Sequence, residues 1–133
     1  MTLLTRQSQL LQQILDKSTS REGMEYNRIC SKAEWSNYDE WLERYSSDED
    51  YHMAFQYWAE CFESVGVHLK EDIFDVRLLA LRSASGVIWF WERHRDVIYE
   101  RRKRLNDRRY FDMWEYAYDQ LMEYLEEHPE LKP

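Results

Sequence analysis

No proline occurs before position 129, and the whole chain of 133 residues holds only three glycines. Proline removes a backbone donor and clashes inside a helix, and glycine weakens helices by its conformational freedom. A chain this poor in helix breakers and turn-formers is constrained to long helices rather than many short strands. The length suits one domain. A chain of this size buries roughly two thirds of its unfolded surface, enough for a single core without staples.

The supply of core material is large, because 16% of the residues are aromatic, with 6 Trp and 10 Tyr. Each such ring hides about 150–250 Å². Tyr and Trp also carry a polar tip, which places many of them at a core edge or an interface. This aromatic content argues against disorder. The net charge of -8 makes the chain as a whole repel nucleic acid and anionic membranes.

Apolar spacing outlines the helices. Leu3, Leu10, Leu11, Ile14 and Leu15 share a stripe on an N-terminal amphipathic helix. Residues 18–23 read as a linker. The domain reading is therefore residues 1–22, helix and linker, followed by a helical core domain over 23–133. Two or more short helices are expected over 23–45, broken near 31–37, where Ser31 with Glu34 and Ser36 with Asp39 fit capping boxes. Ser46 to Asp50 start a helix with the stripe Tyr51, Ala54, Phe55, Trp58, Cys61, Phe62 and Val65, and Gly66 is placed to end it. Further helices are expected over 71–82, 85–105 and 108–127, with Asn106 and Asp107 as a turn and Pro129 as a stop. The fold class is all-α: a compact bundle of about five or six helices, mostly antiparallel neighbours. Its expected core is Trp58, Phe62, Leu79, Trp91, Ile98, Phe111, Trp114, Tyr118 and Leu121.

Cys30 and Cys61 make neither a disulfide framework nor a zinc site, and they read as small apolar core residues in a reducing cytoplasm. Gln7, Ser8, Gln9, Gln12 and Gln13 interrupt the N-terminal apolar stretch, so no signal peptide is expected. No stretch reaches 18 apolar residues, and no membrane partner is expected. Glu49 and His52 form one Glu-x-x-His step without a second, and His68, His94 and His128 stand alone, so no metal is expected. No Gly-x-Ser-x-Gly motif occurs, and Gly23, Gly66 and Gly86 are isolated. No catalytic residue, cofactor or enzymatic activity is therefore expected.

Two features point to partners. Residues 77–109 carry ten basic and four acidic residues, a balance of +6 against -14 elsewhere. Arg101, Arg102, Lys103, Arg104, Arg108 and Arg109 fall close together. They are either a phosphate-contacting patch or a helix end whose cations pair with acidic neighbours such as Glu63, Asp72, Asp75, Asp112 and Glu115. Within Val87, Ile88, Trp89, Phe90 and Trp91, three large rings cannot all face one core. Either neighbouring helices surround the run and bury its rings in the core, or one ring faces a partner, which makes Trp89 and Trp91 candidates for a protein contact or a self-association seam.

The C-terminal half, residues 50–125, resembles a prokaryotic family of small helical proteins of unknown function. The residues that carry the resemblance are Phe55 through Phe62 with Glu63 and Gly66; Glu71, Asp72, Ile73 and Val76; Trp91 and Glu92; Ile98, Arg101 and Arg102; and Trp114, Glu115 and Tyr116. The match fades over the N-terminal third. The resemblance implies an all-helical fold and no catalytic residues, with Glu92, Arg101, Arg102 and Glu115 as a buried salt-bridge network.

The expected function is a non-enzymatic helical protein–protein interaction domain, acting on an unidentified partner protein or on a second copy of itself. The alternative is a nucleic-acid-related module. It would bind phosphate through Arg101–Arg109, or it would use the acidic helices to imitate nucleic acid and block a partner's basic groove.

Overall fold

The computed structural model describes residues 3–133; the side chains of residues 1–5 and of Ser8 lie outside it, and with them the start of the expected N-terminal stripe at Leu3. Among the described residues the chain is all-helical. It forms α1 (Leu3–Thr19), α2 (Arg21–Lys32), α3 (Tyr38–Tyr45), α4 (Glu49–Lys70), α5 (Val76–Arg82), α6 (Ala84–Leu105) and α7 (Asp112–Glu127), then a single 3₁₀ turn over Pro129–Leu131. Among the described residues, seven helices replace the expected five or six. None of these helices is long and apolar enough to cross a membrane.

The helix boundaries follow from local caps. The expected linker over 18–23 shrinks to Ser20, whose hydroxyl accepts from the Gly23 amide, so α2 begins at once. At the next break the cap is Asn37, not Ser31 or Ser36: its side chain accepts from the Glu40 amide at 2.9 Å. Ser31 instead donates to the Asn27 carbonyl from within α2. Asp48 and Asp75 cap α4 and α5 in the same manner as Asn37. Each side-chain oxygen satisfies an amide that has no partner inside its helix.

Gly66 corrects a second expectation. It does not end α4, which runs on to Lys70, and it lies buried in mid-helix. A Cβ there would stand 1.8 Å from the Met113 carbonyl oxygen. The missing side chain therefore sets how closely α7 approaches α4. Glu63, one turn earlier, fixes the same junction: its carboxylate accepts the Trp114 amide at 2.8 Å and the Met113 amide at 3.3 Å. The first turn of α7 is thus capped from a neighbouring helix. Its own preceding residue, Phe111, sits at φ 53, a left-handed conformation rare for a bulky residue. The Phe111 ring packs edge-on to Phe55 and Trp114, both at 5.9 Å.

A chain of stacked rings fills the centre. Trp58 lies 5.7 Å from Phe62 and 5.4 Å from Phe90, and Phe62 lies 5.4 Å from Trp114. Of the expected core residues, all are buried except Tyr118, which is half-buried because its hydroxyl donates to Glu92 at 2.6 Å. α1 belongs to the bundle. Leu11 is 1% exposed, and the Gln7 side chain accepts from the Asp75 amide across 68 residues of sequence.

Candidate interaction groove

The aromatic run Val87–Trp91 divides by helical geometry. Trp91 is 1% exposed, with its ring edge-on to Trp114 at 5.3 Å, so it serves the core and offers nothing to a partner. Trp89, two positions earlier and on the opposite side of α6, is 42% exposed. It borders a groove of about 690 Å³, walled by Glu34, Trp35 and Ser36 of the α2–α3 connection, Glu40 and Arg44 of α3, and Glu92, Arg93 and Asp96 of α6.

The wall formed by the α2–α3 connection is held in place from several directions. The Glu34 amide donates to the Tyr45 hydroxyl at 2.8 Å, and Arg44 donates to the Glu34 carbonyl at 2.7 Å. Arg93 donates to the Ala33 carbonyl. The Arg93 guanidinium also lies over both indoles that flank the groove, 5.2 Å from Trp35 and 5.4 Å from Trp89. A guanidinium over an aromatic face is attracted by the ring's negative face. Trp35 and Trp89 are thereby tied together through one cation. Behind Trp35 lies His94, fully enclosed, with ring centroids 5.4 Å apart. The groove is therefore built before any partner arrives.

Trp35 and Arg93 escape sequence reasoning for a physical reason. Trp35 lies on a non-helical connection, where no periodic stripe includes it, and Arg93 counts only as one more cation. Their association spans 58 positions and depends on the packing of α3 against α6.

The basic cluster is spent largely within the molecule. Arg102 donates to Glu115 at 2.7 Å and to the Tyr110 carbonyl at 2.8 Å. Arg104 bridges Asp39 at 2.6 Å and Glu100 at 2.9 Å, and it lies over the Tyr38 ring. Arg101 lies over the Tyr110 ring at 4.6 Å. Arg109 approaches Asp112 at 3.4 Å but is mostly exposed, and Lys103 and Arg108 are exposed too. Of the partners named from sequence, Asp112 and Glu115 take this role, whereas Glu63 and Asp75 cap helices. The expected network of Glu92, Arg101, Arg102 and Glu115 does not form as one unit. Arg102 and Glu115 meet, Glu92 accepts from Tyr118, and Arg101 stacks on Tyr110.

Burial shifts the titration of core side chains, and hydrogen bonds to Asp39 and Glu100 raise that of exposed Arg104. Burial pushes the Cys30 thiol up to about 12 and raises Cys61 as well, so both stay protonated and unreactive. Burial also lowers His94 to about 4. His52 packs against Trp41, His68 on Phe74 and His128 on Tyr124. Among the described residues no three His, Cys, Asp or Glu side chains gather to hold a metal ion. In comparisons with protein-family models, curated proteins and solved structures, the chain matches none.

Proposed function

We propose that the chain is a non-enzymatic helical protein–protein interaction domain, and that its binding face is the groove between Trp35 and Trp89. The observation that carries this reading is the state of Trp89: a large ring 42% exposed to water, yet fixed against Arg93 at the border of a preformed groove. Tryptophan and arginine are enriched among the few residues that dominate binding energy. A wall already held by its own hydrogen bonds loses little freedom on association, which lowers the cost of binding. The phosphate-binding reading of Arg101–Arg109 has less support, because Arg102 and Arg104 are already occupied by carboxylates.

The test is an affinity capture from lysate of the source organism with wild-type and Trp89→Ala baits, read by quantitative mass spectrometry and nucleic-acid absorbance. A discrete partner protein should be recovered, and Trp89→Ala should reduce it by at least about tenfold, the loss expected of an interface anchor. A partner set unaffected by Trp89→Ala contradicts the binding face. Recovery of nucleic acid in place of protein contradicts the function.

A further inference from the structure

The chemistry of the groove narrows what it can hold; this step rests on the reading that the groove is the binding face. Four carboxylates line it, those of Glu34, Glu40, Glu92 and Asp96, against the guanidiniums of Arg44 and Arg93. Both cations are turned to the protein's own use. Arg44 pairs with Glu40 at 2.9 Å and donates to the Glu34 carbonyl. Arg93 donates to the Ala33 carbonyl and lies over two indoles. The carboxylates of Glu34 and Asp96, in contrast, take part in no ion pair among the described residues, and both residues are exposed.

Three kinds of occupant can be compared on these facts. An anionic segment would be brought against an excess of carboxylates on a chain of net charge -8. An apolar segment would strip water from the Glu34 and Asp96 carboxylates and give nothing back. A cationic side chain would meet both carboxylates and the exposed part of the Trp89 ring. The protein already shows the last kind of contact, since Trp89 holds the Arg93 guanidinium over its ring.

We propose that the groove binds a lysine- or arginine-bearing segment of a partner protein, with its cationic side chain seated among Glu34, Asp96 and the Trp89 indole. Complementary charge speeds the encounter and selects against wrong partners.

Phage display of short random peptides against the full chain, with counter-selection on Trp89→Ala, tests this. The expected result is enrichment of Lys and Arg in peptides that require Trp89. One such peptide, titrated in solution, should lose roughly tenfold in affinity against the doubly neutralised Glu34→Gln, Asp96→Asn variant, and should weaken as salt rises. Both substitutions are at exposed positions and preserve shape, so the variant should keep the wild-type melting temperature. Peptides that require Trp89 but carry no cation, or whose affinity ignores the two carboxylates, overturn this inference and leave the binding face intact. A selection that yields no Trp89-dependent peptide overturns both.

Discussion

His94 sits inside a cage of rings: Trp35 at 5.4 Å, Phe55 at 5.1 Å, Phe90 at 6.1 Å and Trp114 at 6.4 Å. Its Nδ1 lies 2.9 Å from the Phe90 carbonyl, an acceptor, so the neutral imidazole carries its proton there. Nε2 is left buried with no hydrogen-bond partner among the described residues. Enclosure disfavours the charged form and brings the folded-state pKa down to about 4 from its ordinary 6.5, with the nearby Arg93 cation adding to the effect. The sign follows directly. The unfolded chain takes up a proton below 6.5 and the folded chain does not, so stability falls as pH drops from 6.5 to 4. The loss from this one group is roughly 3 kcal/mol. Urea unfolding across that range should show a decline that His94→Leu largely removes, and the imidazole resonances should titrate near 4. An imidazole that titrates near 6.5 in the folded protein contradicts this placement.

At the scale of elements, the junction of α4 with α7 governs the bundle, and two residues of α4 control it. Gly66 sets how near α7 comes, and Glu63 caps its first turn. Burial raises the Glu63 pKa, while the two amide hydrogen bonds pull it back down. Glu63→Ala should cost about 1–2 kcal/mol in urea unfolding, the usual price of a lost cap, with Glu63→Gln costing less because an amide oxygen still accepts. Equal stability of all three proteins would contradict the capping role. The helices themselves were legible from residue spacing. The stripe of Tyr51, Phe55, Trp58 and Phe62 lies in the core as its period requires; in the last helix Trp114, Leu121 and Leu125 do the same, while Tyr118 of that period stays half-buried and Phe111 falls before the helix begins. What spacing could not show was the use of a residue by a distant neighbour. Gly66 has the local look of a helix stop, and its meaning comes from Met113. Ser36 fits a cap as well as Asn37 does, and the backbone selects Asn37. The capping of α7 by Glu63, and the left-handed Phe111 that precedes it, are tertiary events with no local signature.

For the molecule as a whole, charge and aromatic surface are distributed unequally. At the α6 C-terminus Arg102 is half-buried on Glu115, Arg101 lies over Tyr110 and exposed Arg104 pairs with Asp39 and Glu100, whereas the groove of α3 and α6 faces outward with an excess of carboxylates. Of the rings in the run Val87–Trp91, Trp89 is the one the core leaves exposed and Trp91 is buried, because two positions along a helix point to different sides. The most direct test of the binding face places a photo-crosslinking amino acid at position 36, where exposed Ser36 lines the groove and Trp89 stays in place, and, separately, at position 67, where Val67 is exposed on α4 but does not line the groove. Each protein is irradiated in cells of the source organism. Position 36 should give a discrete covalent adduct with a partner protein and position 67 should not; adducts of equal yield at both positions, or none at 36, would contradict the groove as the place where this protein meets its partner.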